Sequence, residues 1–408
     1  MHAQTTGVVQ GEKDKAAIWT ELAPFFRAPA EYRDQYGAYR TPLKFYSGKL
    51  VKTSKDWLER RKEILRQWTT MMGEWPALLT DQQMQFLDSV QMPGYKQYHI
   101  RFKWLPNEQT DGYLLVPDDP SVPAGQLVPG IDRQSNSVSV SAGNIKRPAV
   151  ISVFYEPETG AGLGKSERTK NKADFAYQLV KRGFVTLSIG TTQATDAKTY
   201  SLYYPTVDNA SVQPLSMLAY AAANAWHVLA NYSGVDSTRI GIMGLSFGGK
   251  WAMFASCLFE KFACAAWSDA GIVFDEKREN VNYWEPWYLG YHPRPWRERG
   301  LITPTNPAYG SYPELVRKGH DLHELHALMA PRPFLVSGGA EDTKERWIPL
   351  NHSLAVNRLL GYSNRVGMTN DRTEHLPTAL SNERAYLFFE YFLMFNKIDR
   401  KSKTGTNF

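Results

Sequence analysis

A serine between glycines is the feature of this sequence with the clearest chemical meaning. Ser246 lies in Gly244-Leu-Ser-Phe-Gly248, which matches the pattern G-x-S-x-G. An apolar, strand-like run precedes it at 240–243, and an apolar stretch of helical composition follows it at 251–256. Small residues on both sides allow a sharp turn between strand and helix. The sequence therefore predicts that Ser246 is a nucleophile on such a turn, beside the N-terminus of the following helix.

A serine hydroxyl needs a base and an orienting carboxylate to act as a nucleophile. His375 follows the last predicted strand and precedes the final predicted helix, so we expect it to be the base. For the acid we favour Asp342, which comes soon after the predicted strand 333–337, with Glu341 beside it. Asp269 follows the preceding strand and is the main alternative. The sequence leaves the choice between these carboxylates open.

Acyl transfer also requires backbone donors for the oxyanion that forms on the carbonyl. We expect one donor to be the N–H of Phe247, the residue after the nucleophile. Tyr155 follows the predicted strand 149–154, and its N–H is the expected second donor.

Strands and helices alternate from residue 149 onward, and the strands are nearly continuous apolar runs. This pattern predicts an α/β fold with a mostly parallel central sheet and helices on both faces. Sites in such sheets lie at the carboxyl ends of the strands. The predicted strands are 149–154, 184–189, 240–243, 262–267, 333–337 and 365–368, and the predicted helices are 172–182, 215–231, 247–256, 350–360 and 379–395.

The rest of the sequence predicts that the chain divides into two regions of unequal size. Residues 1–94 are expected to form an extension packed on the core, with an amphipathic helix at 55–68. Residues 95–408 are expected to form the catalytic domain, which begins with a pair of strands and includes a surface segment at 117–144. An aromatic-rich insertion is expected at about 270–325.

The composition of the chain and the motifs that it lacks argue against several classes of function. The chain has 408 residues, and 47 basic against 41 acidic side chains give a dispersed charge of +6, which does not indicate binding to nucleic acid or a membrane. No apolar run of membrane-spanning length and no cofactor motif is present, so we expect no cofactor. His320, His323, His326 and His352 lack the partners of a metal site, and no metal is expected. The polar N-terminus has no apolar signal region, but Ala3-Gln4 is compatible with a processed end, and we expect a secreted or periplasmic protein.

The turn at Ser246, the loop that carries Asp342 and the loop that carries His375 together resemble those of the α/β-hydrolase superfamily, over roughly residues 95–395. More narrowly, Ser246-Phe-Gly-Gly-Lys250 is similar to the Ser-Arg-x-Gly-Lys of glucuronoyl esterases. The segment 321–333, which contains His-Glu-Leu and ends in Ala-Pro-Arg-Pro, resembles a stretch of those enzymes and of acetyl xylan esterases. The resemblance implies that Lys250 contacts a substrate hydroxyl, and the alternative is a solvated lysine on the surface of the helix. The resemblance departs at Phe247, where glucuronoyl esterases carry an arginine thought to assist the oxyanion.

The insertion is rich in aromatic residues and arginines, which suit sugar rings and carboxylates. We expect substrate contacts from Trp284, Trp287, Tyr288 and Arg294. The alternative is that the aromatic side chains pack the insertion onto the sheet.

Together these features predict a serine esterase acting on ester decorations, acetyl or uronate, of a polysaccharide or oligosaccharide. One alternative is a peptidase of the prolyl-oligopeptidase type, although residues 1–94 contain no repeats and are too few for a propeller. The other alternative is a non-catalytic hydrolase-like binding protein, although this chain keeps a candidate for every catalytic role.

Overall fold

A computed structural model describes residues 15–118, 146–192 and 201–395. The predicted surface segment 117–144 lies almost entirely outside the described residues. Eleven strands occur in the described ranges: β1 (Gln85–Met92), β2 (Tyr95–Leu105), β3 (Glu108–Pro117), β4 (Arg147–Phe154), β5 (Val185–Gly190), β6 (Pro205–Thr206), β7 (Asn209–Ala210), β8 (Val235–Leu245), β9 (Cys264–Ser268), β10 (Phe334–Ser337) and β11 (Val366–Thr369).

Nine of these strands form one sheet in the order β1-β2-β3-β5-β4-β8-β9-β10-β11, and β6 and β7 form a separate hairpin. The first three strands are an antiparallel meander, and β3 pairs antiparallel with β5. From β5 to β11 every neighbouring pair is parallel. The predicted mostly parallel sheet is therefore confirmed. The sequence pattern does not predict strand β1, whose polar and apolar residues do not alternate regularly and none of which is buried.

Helices cover both faces of the sheet, as expected. Alternate side chains of β4 separate the two faces, since Ile151 and Val153 join one core cluster while Val150 and Phe154 join the other. The helices are α1 (Ser54–Met72), α2 (Pro157–Gly160), α3 (Phe175–Val180), α4 (Pro214–Ala230), α5 (Phe247–Leu258), α6 (Ser311–Arg317), α7 (His323–Ala327), α8 (Trp347–Leu359) and α9 (Ala379–Phe389). Helices α1, α4 and α5 pack in the first cluster, and α3 and α9 pack in the second.

Helix α1 joins the N-terminal segment to the rest of the chain through buried polar contacts. Its Arg60 is fully buried, donates to the carbonyl of Pro42 at 3.2 Å and lies 4.0 Å above the ring of Tyr46. Its Trp68 donates to the carboxylate of Glu324, which also contacts His320 at 2.7 Å. The division at residues 94 and 95 stays a prediction, and β1, which precedes it, is part of the main sheet.

The start of α5 lies unusually close to β4. A Cβ atom at Gly248 would lie 2.1 Å from the carbonyl oxygen of Val153. A Cβ atom at Gly244 would lie 2.3 Å from the carbonyl oxygen of Gly248. The two glycines of the G-x-S-x-G pattern therefore let the helix begin directly against the central strands.

We expect Gly248→Ala to destabilise the protein by at least about 2 kcal/mol, because its methyl group has no space against Val153. The matched control is Gly94→Ala, where an added Cβ meets nothing within 4 Å and only the left-handed backbone opposes it. That control should cost about 1 kcal/mol. Denaturant unfolding measures both values, and equal values would show that the close approach does not constrain residue 248.

Candidate active site

Ser246 occupies the turn between β8 and α5 that the sequence predicted. Its backbone has φ 58° and ψ −115°, a conformation that costs energy for a residue with a Cβ and that turns the chain sharply. The N–H of Ser246 donates to the carbonyl of Ser268 at 2.8 Å, which ties the turn to the end of the neighbouring strand β9. The side chain is half-buried. Ser246 thus stands at the carboxyl edge of the sheet, directly before the positive end of a helix.

His375 lies in the loop between β11 and α9 and is bound to a carboxylate. Its Nδ1 atom lies 2.6 Å from Oδ2 of Asp269, and the imidazole side chain is 22% exposed while the carboxylate is fully buried. Asp269 directly follows Ser268, the residue that accepts the Ser246 amide. The structure therefore brings the histidine to Asp269, the residue that the sequence offered as the alternative acid.

Asp342, the acid that the sequence favoured, does not contact His375. Its carboxylate oxygens instead accept the N–H groups of Gly271 at 3.0 Å and Ile272 at 2.7 Å. In return, Oδ1 of Asp269 accepts the N–H groups of Glu341 at 3.0 Å and Asp342 at 2.9 Å. Each aspartate thus holds the backbone of the other's loop.

The side chain of Glu341, the other alternative acid, is also bound elsewhere. It accepts a hydrogen bond from the amide of Asn280 at 3.0 Å, in the insertion. Asp342, which the sequence favoured, is therefore not the carboxylate that contacts His375 in the structure. Asp269 adopts φ 45° and its carboxylate reaches the histidine, whereas two backbone amides occupy the carboxylate of Asp342.

The two expected oxyanion residues lie side by side. Phe247 is the first residue of α5, and Tyr155 directly follows β4. Their rings are stacked with centroids 4.8 Å apart, and the ring of Phe247 is fully buried against Tyr288 and Trp251. Residue 247, where the resembling enzymes carry arginine, therefore contributes an apolar ring to the protein interior.

Lys250 is buried rather than presented to a substrate. Its ammonium group donates to the carbonyls of Ala270 at 2.9 Å and Asn280 at 3.0 Å, and it faces the rings of Tyr283 and Tyr288. Burial lowers the pKa of Lys250 to about 8, although nearby carboxylates, chiefly Asp342, act in the opposite direction. Lys250 therefore connects α5 to the insertion through these two hydrogen bonds.

The insertion residues expected to bind substrate are mostly buried as well. Trp284 is fully buried and donates to the carbonyl of Gly300, so a sugar has no access to its ring. Tyr288 and Trp287 are 3% and 7% exposed. Arg294 is exposed, but its Nε donates to Asp208 at 2.6 Å, so a substrate carboxylate would have to displace that partner. These positions fit the alternative expectation, in which the aromatic residues pack the insertion onto the sheet.

Sequence reasoning missed Arg372, which lies beneath the loops that carry Asp269 and His375. It is 7% exposed and donates hydrogen bonds to the ends of β9 and β10 and to α9. An arginine three residues before His375 in a polar loop gives no sequence signal of burial. Only its position in the same loop as the expected base could have drawn notice.

The described residues hold no group of three or more His, Cys, Asp or Glu side chains arranged to bind a metal ion. None of the helices in the described ranges combines the length and apolar character that a membrane span requires.

No family model and no curated protein sequence matches this chain. Among solved structures, a glucuronoyl esterase from Solibacter usitatus is 16% identical, with a TM-score of 0.61, covering 87% of this chain and 97% of that chain. A Bacteroides fragilis protein provisionally described as an acetyl xylan esterase is 14% identical, with a TM-score of 0.51, covering 95% of this chain and 90% of that chain.

A third similar structure contains a ligand. It is a serine-to-alanine mutant of a glucuronoyl esterase from Sporotrichum thermophile in complex with methyl 4-O-methyl-β-D-glucopyranuronate. It is 15% identical, has a TM-score of 0.50 and covers 88% of each chain. This chain has the α/β-hydrolase fold. The hydrolase fold, with β8 leading into the serine turn, is thus established at the level of architecture.

We expect the burial of Lys250 to make stability depend on pH. Between pH 8 and 10.5 the unfolded chain keeps the Lys250 proton and the folded chain loses it, so stability from this group rises with pH. The free energy of unfolding of the wild type minus that of Lys250→Met should rise by at most about 1.4 kcal/mol per pH unit in this window. Denaturant unfolding at several pH values measures the difference. The exposed Lys62→Met should show no such rise, and a flat difference for Lys250→Met would contradict the prediction.

Proposed function

We propose that this protein is a serine esterase that removes ester decorations from a polysaccharide or oligosaccharide. The observation that carries the proposal is the 2.6 Å contact between His375 and Asp269, beside the Ser246 turn at the carboxyl edge of the sheet. The fold shared with carbohydrate esterases supports the same class of reaction.

In the proposed first step, the hydroxyl oxygen of Ser246 attacks the ester carbonyl and His375 takes its proton. Asp269 holds the Nδ1–H of the imidazole, so Nε2 is the basic atom, and it stabilises the imidazolium that forms. The N–H groups of Phe247 and Tyr155 are the proposed donors to the oxyanion. His375 then gives its proton to the departing alcohol oxygen, and an acyl-enzyme forms on Ser246.

In the second step, His375 removes a proton from water, whose oxygen attacks the acyl carbonyl. The tetrahedral intermediate collapses, the acid is released and the proton returns to Ser246. The carboxylate of Asp269 keeps its orientation toward His375 through both steps, because Oδ1 accepts two backbone amides while Oδ2 contacts the imidazole.

Two acyl groups remain as candidates. A uronate ester is supported by the methyl glucuronate complex of the Sporotrichum thermophile esterase. An acetyl group is favoured by the Phe247 ring, which replaces the arginine of the glucuronoyl esterases and lies against Tyr155. An extracellular location fits either polysaccharide substrate and stays part of the proposal.

We expect Ser246→Ala to lower kcat for p-nitrophenyl acetate by at least about a thousandfold, because no other group supplies the nucleophile. The control Ser89→Ala, on the strand at the far edge of the sheet, should keep wild-type kcat. Acetate release from acetylated xylan and alcohol release from a methyl glucuronate ester, measured in parallel, decide the acyl group. Wild-type activity in Ser246→Ala would overturn the mechanism.

We expect Asp269→Asn to lower kcat by about 10⁴-fold, because the amide favours the wrong tautomer of His375. Asp342→Asn should lower kcat by less than about tenfold and act mainly on stability. Its side chain keeps one acceptor oxygen for the two amides that the carboxylate now binds. Steady-state kinetics of both variants, with unfolding curves, test the assignment. A larger loss of kcat in Asp342→Asn would return the role of acid to Asp342.

A further inference from the structure

Arg372 uses every N–H of its guanidinium group. An arginine side chain has five such donors. Nε donates to the carbonyl of Glu374 at 3.2 Å, and Nη1 donates to the hydroxyls of Ser337 and Ser381, both at 2.9 Å. Nη2 donates to the hydroxyl of Ser268 at 2.9 Å and to the carbonyl of Ser337 at 3.0 Å. The five acceptors come from four separate parts of the chain: the end of β9, the end of β10, the histidine loop and α9.

These acceptors are adjacent to the proposed catalytic residues. Ser268 precedes Asp269, and its carbonyl accepts the N–H of Ser246. Ser337 uses its carbonyl to accept the N–H of Asp269 at 3.0 Å, in addition to the Arg372 donor. Glu374 precedes His375. One buried guanidinium therefore connects the peptides that carry the nucleophile, the acid and the base.

Arg372 also brings positive charge to a buried acidic centre. A Cβ atom at Gly339 would lie 2.9 Å from Nε of Arg372 and 3.0 Å from Cγ of Asp269, so both side chains lie against this glycine. Burial lowers the pKa of the Arg372 guanidinium, while Asp269 and Asp342 act in the opposite direction. Two further cations act on the same centre. Both aspartates oppose the lowering of the Lys250 pKa by burial, and Arg346 opposes the rise in the Asp342 pKa that burial and Asp269 cause. The acidic pair is thus balanced by cations from three different elements.

We propose that Arg372 is a positioning residue for the reaction proposed above: it fixes the spacing of Ser246, Asp269 and His375 through the peptides next to them. Its five N–H groups all donate to acceptors within the protein. The inference rests on the proposed function for its kinetic consequence. Its structural consequence, the geometry of the His375–Asp269 pair, is independent of any substrate.

The test compares Arg372→Lys with Arg332→Lys. Arg332 is a matched control because it also holds several backbone carbonyls, those of Ser256, Phe259, Phe262 and Leu328. Arg332 lies just before the amino end of β10, away from the site. Arg372 binds Ser337 at the carboxyl end of the same strand, where the site lies. Lysine keeps the charge but cannot serve five acceptors with fork geometry. Both variants should lose stability, and only Arg372→Lys should disturb the site.

We expect Arg372→Lys to lower kcat for p-nitrophenyl acetate by about tenfold to a hundredfold with KM within about twofold, below its melting temperature. Arg332→Lys should keep the wild-type kcat of its folded fraction. Equal kcat values for the two variants, per folded molecule, would overturn the proposal. If Arg372→Lys does not fold, Ser337→Ala removes one hydroxyl acceptor of Nη1 and leaves the helix cap at Ser381 in place. It should lower kcat by a smaller factor than Arg372→Lys is expected to, and an unchanged kcat would overturn the proposal.

Proton NMR gives a readout that does not depend on activity. The short His375–Asp269 hydrogen bond should give a downfield Nδ1 proton signal, identified by its loss in Asp269→Asn. We expect the signal to shift or disappear in Arg372→Lys and to stay unchanged in Arg332→Lys. An unchanged signal in folded Arg372→Lys would contradict the inference. If the wild type shows the signal but hydrolyses no ester, the proposed function is wrong. The effect of Arg372→Lys on the NMR signal then still tests whether Arg372 positions the His375–Asp269 pair.

Discussion

The reciprocal binding of two loops, through Asp269 and Asp342, is the constraint on which the site depends. The backbone at Asp269 has a positive φ, which an aspartate adopts at a cost in energy. Two hydrogen bonds from the following residues to Asp342, and two from the other loop to Asp269, offset this cost. The carboxylate of Asp269, the proposed acid, is therefore held in its orientation before any substrate arrives, which is the kind of preorganisation that an oriented imidazole requires.

Such an acidic centre is stable only because its charges are balanced within hydrogen-bonding networks. An unpaired buried carboxylate or ammonium group would cost several kcal/mol. The negative charge of Asp342 is not fully compensated. Its pKa is raised to about 6, mainly by burial and then by the neighbouring carboxylate of Asp269. Arg372 and Lys250 supply positive charge from two different elements and at the same time bind the segments that carry or adjoin the carboxylates. Electrostatic balance and loop geometry thus depend on the same side chains.

The insertion has a structural part in this arrangement. Its aromatic side chains pack against α5, where Tyr283 and Tyr288 face the ammonium group of Lys250. The Glu285–Arg297 pair, also buried, closes the insertion on itself. The helix that begins at Phe247 is therefore supported by the insertion as well as by β4. A supported helix start matters because the proposed oxyanion donors must be held rigidly where charge develops.

The sequence by itself determined the alternation of elements, the turn at Ser246 and the loop that carries His375. These features are local, since apolar runs set strands and helices and two glycines permit the close approach to Val153. Only the tertiary structure shows that Asp269, and not Asp342, contacts His375. Both follow neighbouring parallel strands and reach the same edge of the sheet, so their positions along the chain do not distinguish them. Their side-chain directions depend on a backbone angle and on amides from distant loops. For the same reason the burial of Arg372, Lys250 and Trp284 became visible only in the fold, because it depends on which segments pack around them.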